Sequence, residues 1–284
     1  MHPPLPAPPV SLESAASLGD LSLLAVVQGL TEFLPISSSG HLVLVQSLLG
    51  MEEAPLAIDV ALHVGTLLAV VVVYRGALAD LARDVLAGRL RELGLLFLGS
   101  LPVGIVGFTL KDAIERGFHS ARLAGVGLLV TALALGLGEA GRRRRLATGR
   151  EPRELGPREA LLIGAVQALA LVPGISRSGT TIAAGLLLGL APERAARFSF
   201  LLSIPAIAAA AGLALPQLHA GNGTAGAADG PGGNGGWLLL WAVLLSGLVG
   251  WAALRGLLAF LDRGAFRWFM LYCLALGVLA LISA

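Results

Sequence analysis

Charged residues are scarce in this chain. Lys, Arg, Asp and Glu make up 13% of its 284 residues, whereas hydrophobic residues make up 56%. A soluble domain carries about 25% charged residues, because its surface has to face water. The deficit excludes a soluble structural protein, and a mean hydropathy of +0.82 indicates an all-α polytopic membrane protein.

Cysteine is nearly absent as well. Cys273 is the only one, which excludes a disulfide within the chain. The pI near 9.2 does not indicate a nucleic-acid partner, because arginine-rich cytoplasmic loops raise the pI of ordinary membrane proteins. Glycine is abundant instead, with 38 residues. Small residues let helices approach closely in a membrane, so the composition predicts a tightly packed bundle.

Six stretches have the character of membrane spans, since about 20 apolar residues cross a bilayer as a helix. Two further apolar regions, 21–50 and 158–190, are interrupted near the middle by polar motifs that contain Pro and Ser. We expect each to form a re-entrant helix pair, surrounded by protein or by a water-filled cavity. The six predicted spans lie at about 57–75, 93–111, 120–138, 197–215, 237–255 and 266–283.

Arginine predicts the orientation of the chain. The segment 139–159 contains seven arginines, which indicates a cytoplasmic loop. Counting crossings outward puts the segments near 75–92, 190–197 and 255–267 on the same side. Full spans in place of the re-entrant pairs would give the same sides, so the charges alone do not establish re-entrance.

The chain is expected to form one membrane domain, 20–284, after a disordered Pro-rich tail, 1–19. This domain divides into a first repeat at about 20–138, the arginine-rich loop at 139–159 and a second repeat at about 158–284. A Gly-rich segment, 221–236, is expected to be a flexible external loop.

The division rests on an internal repeat. VQGLTEFLPISSSGH at 27–41 lines up with VQALALVPGISRSGT at 166–180. Pro35 matches Pro173, and Ser38 matches Arg177. An odd number of spans separates the two copies, so they have opposite orientations. The pattern predicts an inverted-topology repeat in which two broken helices meet near the membrane midplane.

The first copy concentrates polar groups that are costly to bury in a membrane and therefore mark a functional site. Gln28 and Glu32 are four residues apart and share one helix face. The serines at 37–39 open the next half-helix, whose N-terminus attracts anions. The second copy adds Arg177, whose guanidinium binds phosphate oxygens in pairs. Candidate substrate-binding residues are Gln28, Ser37, Ser39, Gly174, Ser176, Ser178 and Thr181.

A phosphate site at membrane depth indicates a lipid phosphate as its ligand. Glu32 and His41 suggest chemistry beyond binding, because His can act as a general base on a Ser hydroxyl or on water. A carboxylate beside phosphate calls for a divalent cation, Mg²⁺ or Ca²⁺, held by Glu32, or for a role in orienting the base. An ion pair between Glu32 and Arg177 is an alternative that is compatible with substrate binding.

The two motifs resemble those of the bacterial undecaprenyl-diphosphate phosphatases linked to bacitracin resistance. QGLTEFLPISSSGH fits that family's (E/Q)xxxE pattern, PGISRSGTT fits its PGxSRSxxT pattern, and the resemblance covers roughly residues 20–284. It implies catalytic roles for four residues, Glu32, Ser38, His41 and Arg177. Many members have Glu where this chain has Gln28, so one candidate metal-binding carboxylate is missing here.

The resemblance implies an inner-membrane enzyme that removes one phosphate from undecaprenyl diphosphate and so recycles the lipid carrier for peptidoglycan synthesis. We expect Arg177 and two helix N-termini to clamp the diphosphate while Ser38 attacks with His41 as base. Direct attack by water, or by His41 itself, stays open, as does a homodimer. The site is expected to open to the external, periplasmic side.

A lipid-phosphate transporter or flippase is the rival class. Inverted repeats with polar sites at the midplane are ordinary transporter architecture. His41 and Glu32 beside an anion site favour the enzyme, because transport alone does not need them.

Overall fold

The computed structural model describes residues 17–51, 56–110, 114, 117, 120–219, 235–261 and 266–283. Those residues form eleven helices and, within these ranges, no strand. Most of the predicted N-terminal tail and of the predicted Gly-rich loop lies outside the described residues. The helices are α1 Leu18–Phe33, α2 Ser38–Leu48, α3 Leu56–Val73, α4 Arg75–Leu86, α5 Arg91–Thr109, α6 Ala121–Ala147, α7 Pro157–Leu169, α8 Arg177–Leu187, α9 Pro192–His219, α10 Gly235–Phe260 and α11 Phe266–Ser283.

Six of these helices, α3, α5, α6, α9, α10 and α11, are long and apolar enough to cross a membrane. They confirm the six spans predicted from the sequence. The first helix starts slightly earlier than predicted, at Leu18, inside the expected tail. Ser17 and Asp20 explain this start, because they form a reciprocal capping box with hydrogen bonds of 3.0 and 3.1 Å.

The third span extends further than the sequence predicted. Helix α6 continues through Ala147, so the first part of the predicted arginine-rich loop is helical. Glu139 accepts hydrogen bonds from Arg142 at 2.9 Å and from Arg143 at 2.7 Å. Basic side chains near a helix C-terminus also interact favourably with the helix dipole, which stabilises this extension.

The short helix α4 was not predicted. It lies in a segment expected to be a cytoplasmic loop, and none of its residues is buried. Leu78 and Leu81 are partly buried against the edge of the core. The helix is too short and too polar to be recognised as a span, although its apolar residues recur at helical spacing.

Three of the four basic segments predicted to share one side meet at one end of the bundle. Arg197 lies 2.8 Å from Glu92, and Arg194 lies 3.1 Å from Glu154. These ion pairs join the segments near 75–92, 139–159 and 190–197. We call this the arginine-rich end.

The two interrupted regions both form a helix, a break and a second helix: α1 and α2, then α7 and α8. Each first half-helix packs against a span from the other half of the chain. A Cβ atom on Gly29 of α1 would lie 2.8 Å from the Ser246 carbonyl oxygen of α10, and one on Gly164 of α7 would collide with Gly99 of α5. Glycine at both contacts is therefore required by close backbone approach.

The third spans of the two halves, α6 and α11, pack against each other and against the breaks. Thr131 of α6 donates a hydrogen bond to the Gly174 carbonyl at 2.9 Å and accepts one from the Ser176 amide at 2.8 Å. The Cys273 thiol of α11 lies 3.7 Å from the Pro35 carbonyl oxygen. Each break is thus held by a span from the opposite half of the chain.

Candidate active site

The first break, residues 34–37, ends in a serine cap. Leu34 is extended, as expected for a residue that precedes proline. Ser37 has a φ of +70°, and among the described residues it is the only one other than glycine with a positive φ. Its hydroxyl accepts a hydrogen bond from the Gly40 amide at 3.2 Å. Backbone strain of this kind concentrates at functional sites.

The second break, residues 170–176, uses glycine for the same purpose. Gly174 has a φ of +87°, and a Cβ atom there would collide with the Ala124 carbonyl oxygen. Ser176 then caps α8 through a hydrogen bond of 3.1 Å from the Gly179 amide to its hydroxyl. The capping arrangement matches that of Ser37 and Gly40.

The two breaks touch each other. A Cβ atom on Gly40 would lie 3.0 Å from the Gly174 Cα, and one on Gly179 would lie 3.3 Å from the Pro35 Cβ. The contact places both half-helix N-termini at one point inside the protein. It also explains why both motifs carry glycine three residues after the capping serine.

Glu32 joins the starts of α2 and α8. Its Oε1 is 2.6 Å from an Arg177 Nη atom, and its Oε2 accepts a 2.6 Å hydrogen bond from Ser38 Oγ and a 3.2 Å one from Gln28 Nε2. The Glu32 side chain is 7% exposed and that of Arg177 15%. The ion pair considered from the sequence is therefore present. Ser38 and Arg177, matched in the repeat alignment, bind opposite oxygens of one carboxylate.

Several buried polar atoms in these motifs have no hydrogen-bond partner among the described residues. They are the Arg177 Nη1, the Gln28 Oε1 and both amide atoms of Gln167. An unpaired buried donor or acceptor costs about 1–3 kcal/mol. Nη1 belongs to the guanidinium whose Nη2 binds Glu32. Nη1 is therefore available to an anion beside the carboxylate.

His41 makes no hydrogen bond to this cluster among the described residues. Its Nδ1 lies 2.7 Å from the Ser37 carbonyl oxygen, and its Nε2 lies 2.7 Å from the Tyr272 hydroxyl. The two rings are stacked, with an interplanar angle of 5°. Sequence reasoning missed Tyr272. Its signal was a phenol inside an apolar span, where polar groups usually have a function.

Residues 21–279 match the family described as bacitracin resistance protein BacA. The chain belongs to this family. It is 39% identical over 279 residues to an undecaprenyl-diphosphatase of Desulforapulum autotrophicum, covering 92% of this chain and 96% of that relative. It is 42% identical over 272 residues to one of Desulfosudis oleivorans, with 90% and 94% covered. A third, from Chromohalobacter salexigens, is 41% identical over 270 residues, with 91% and 96% covered.

The other residues predicted to bind substrate in this BacA family member mainly shape the breaks. Ser37 and Ser176 cap helices, and Gly174 makes the second turn. Ser39 lies 3.2 Å from the Ser37 hydroxyl, and Ser178 donates to the Leu34 carbonyl at 3.3 Å. Thr181 is turned toward α9, with its hydroxyl 2.6 Å from that of Ser199.

Glu32 is the carboxylate of the two motifs that could hold a divalent cation, in exchange for contacts with Arg177, Ser38 or Gln28. No group of three or more His, Cys, Asp or Glu side chains that could hold a metal occurs among the described residues. Mg²⁺ is commonly held by one or two carboxylates together with substrate phosphates. The donor set therefore fits an ion shared with a phosphate ligand, with Glu32 as its protein ligand.

Proposed function

We propose that this protein is an integral membrane phosphatase that hydrolyses undecaprenyl diphosphate to undecaprenyl phosphate and inorganic phosphate. The observation that carries the proposal is the Ser38–Glu32–Arg177 cluster, which places a hydroxyl and a guanidinium with a free arm on one carboxylate. The shared name of the three relatives supplies the substrate. The product would serve as lipid carrier for peptidoglycan synthesis, and its recycling would confer bacitracin resistance.

Substrate binding begins at Arg177. Its free Nη1 would bind a phosphate oxygen, and the N-terminal ends of α2 and α8 would add their dipoles. A diphosphate competes with Glu32 for the guanidinium, because both are anions. Binding would therefore weaken the ion pair and leave the Glu32 carboxylate better able to accept a proton.

The chemical step uses Ser38. Its hydroxyl donates to Glu32 rather than to His41, so we assign Glu32 as the first acceptor of the proton. The Ser38 Oγ would then form a bond to the terminal phosphorus as the bond to undecaprenyl phosphate breaks. Water hydrolyses the phosphoserine, with His41 as its base. His41 as the base for Ser38, and direct attack by water or His41, stay alternatives that kinetics can separate.

Where Glu32 instead holds a divalent cation, Mg²⁺ or Ca²⁺, together with phosphate oxygens, the ion would neutralise charge on the diphosphate and His41 would be the base for Ser38. Many members of the family have Glu at the position of Gln28. As an amide, Gln28 donates a hydrogen bond to Glu32, which supports a single-carboxylate site.

We further propose that the two helix pairs are re-entrant, that they form an inverted-topology repeat, and that the protein lies in the bacterial inner membrane. Ser22 of α1 contacts Trp241 near the start of α10, and the Leu155 carbonyl, just before α7, binds Arg91 at the start of α5. The start of α5 belongs to the arginine-rich end, whereas α10 runs toward that end, where its Arg255 lines one pocket with Arg75. These contacts support entry from opposite sides, with the first pair opening to the periplasm.

The transporter alternative is not favoured. A site that only carries a lipid phosphate needs the Arg177 charge, but it does not need the Ser38 hydroxyl joined to a buried carboxylate. The names of the three relatives also describe hydrolysis.

Phosphate release by purified protein tests the proposal. We expect release from undecaprenyl diphosphate with Mg²⁺, and a fall of about 100-fold or more in Arg177→Ala, because donors to developing charge contribute this much. Arg194→Ala is the matched control, since it removes an exposed arginine from an ion pair with Glu154. Near wild-type turnover in Arg177→Ala, or lipid movement without phosphate release, would overturn the proposal.

A further inference from the structure

The Tyr272 side chain makes two contacts with one imidazole. Its hydroxyl lies 2.7 Å from His41 Nε2, and its ring stacks on the His41 ring with centroids 5.6 Å apart. The two residues are 231 positions apart in sequence. The pairing therefore joins the last helix, α11, to the first motif.

The hydrogen bonds determine which nitrogen carries the proton. His41 Nδ1 is 2.7 Å from the Ser37 carbonyl oxygen, and a carbonyl oxygen can only accept. Nδ1 therefore donates, and in the neutral ring Nε2 is the acceptor. The Tyr272 hydroxyl donates to Nε2. The lone pair of the neutral imidazole is therefore on Nε2, where it accepts the hydrogen bond from Tyr272.

The residue next to Tyr272 holds α11 against the first break. The neighbouring Cys273 is fully buried, with its thiol 3.7 Å from the Pro35 carbonyl oxygen. Tyr272 itself is 44% exposed, so burial alone does not dictate its position. Thr180, which corresponds to His41 in the repeat, bonds the backbone carbonyls of Ser176 and Arg177 instead.

We propose that Tyr272 is a positioning residue for the phosphatase reaction, which fixes the orientation of the His41 ring through its hydroxyl and its ring. The Ser37 carbonyl sets the Nδ1–H tautomer, so Nε2 is the nitrogen that takes the proton of the reacting water once the Tyr272 hydroxyl turns away. The inference rests on the proposed function. Tyr272 acts through His41 and needs no contact with substrate. The Tyr272 hydroxyl leaves Nε2 when that nitrogen accepts a proton from water. The hydroxyl returns to Nε2 when the His41 ring is neutral again.

Kinetics of Tyr272→Phe test this role, because phenylalanine keeps the stacked ring and removes only the hydroxyl. We expect kcat to fall about tenfold or more, as when partners that orient a functional histidine are removed, with KM within about twofold of wild type. Tyr74→Phe is the matched control, since Tyr74 is the only other tyrosine and packs on Phe200. An unchanged kcat, or equal changes in both variants, would overturn the inference.

Nitrogen-15 NMR of the imidazoles gives a readout that does not depend on activity. Signals that vanish in His41→Gln identify His41. We expect a protonated Nδ1 in the wild type, and a change in the Nε2 shift in Tyr272→Phe but not in Tyr74→Phe. A protonated Nε2 in the wild-type neutral ring would overturn the tautomer. Absence of phosphatase activity in the wild type would refute the proposed function, while this spectrum would still test the Tyr272–His41 contact.

Discussion

The two helix breaks use one backbone device for different chemistry. In both, a serine caps the second half-helix, and the residue four positions later returns a side-chain hydrogen bond to the carbonyl of that serine. His41 does this in the first break and Thr180 in the second. The helix after the first break carries the Ser38 hydroxyl and the His41 imidazole, whereas the helix after the second carries the Arg177 guanidinium.

Burial also separates the two breaks. Helix α8 is buried from Ser178 to Leu186, whereas Ser38 and Ser39 at the start of α2 are only partly covered. The difference predicts that the second break supports the Arg177 guanidinium, and that water and substrate reach the site past the first break. Glu32 joins the two functions, because it binds Ser38 and Arg177 at once.

The largest expected effect comes from removing the hydroxyl that distinguishes the first break. Ser38→Ala should lower kcat by about 1,000-fold or more, as loss of a nucleophile does. Ser203→Ala serves as control, because among the described residues the Ser203 hydroxyl bonds only a carbonyl near it in α9. Rates of phosphate release by the two purified variants make the comparison. Full activity in Ser38→Ala would favour direct attack by water.

Substitution of His41 and of Thr180, the equivalent residue of the second motif, should give the next largest difference in kcat. His41→Gln should lower kcat by about 100-fold, the lower range for loss of a general base. Thr180→Val, at the matching position, should stay within about threefold, because valine fills the same volume and only a bond to backbone carbonyls is lost. Steady-state kinetics of both variants would contradict the assignment if the losses were similar.

The turn residues predict a difference in stability. Gly174→Ala should cost about 3 kcal/mol or more, because alanine is strained at positive φ and would collide with Ala124. Ser37→Gly should change stability by less than about 1 kcal/mol, since relief of strain offsets the lost cap. Thermal unfolding in detergent measures both. Equal losses of stability in the two variants would contradict the required glycine at position 174 and the backbone strain at Ser37.

The smallest effect concerns the first position of the first motif. Gln28→Glu adds a carboxylate beside Glu32, so the Mg²⁺ concentration for half-maximal activity should fall about threefold to tenfold, as added ligand charge tightens such sites. Gln167→Glu, at the matching position in α7, should leave the Mg²⁺ dependence unchanged and lower stability, because it buries an unpaired charge. Titration of Mg²⁺ after treatment with a chelator measures the effect. An unchanged Mg²⁺ requirement in Gln28→Glu would argue against a cation at Glu32.

The spans and breaks could be predicted because membrane thickness and proline act locally in sequence. The alignment of Ser38 with Arg177 also anticipated their convergence on one point, since two equivalent helix starts were expected to meet. The direction of the Ser38 hydroxyl could not be predicted, because it depends on where Glu32 and Gln28 lie after packing. Tyr272 was missed for the same reason: only the folding of α11 against the first break brings it to His41.

Helices α4 and α6 show a second limit of the sequence. Helix α4 is stabilised by packing at the edge of the core, and the end of α6 by Glu139 bonding to the arginines after it. Hydropathy reports neither effect. The predicted spans were therefore reliable at apolar positions and too short where charged residues continue a helix.

The support of the first break by α11 also has a consequence for biosynthesis. The ribosome makes the first motif early, but Tyr272 follows His41 by 231 residues, in α11, which leaves the translocation machinery long after α2. A nascent chain therefore holds its serine and histidine in the membrane without the partners that align them. Full hydrolytic activity would begin only after α11 has inserted, so a chain stalled before α11 would attack lipid diphosphates around it more slowly.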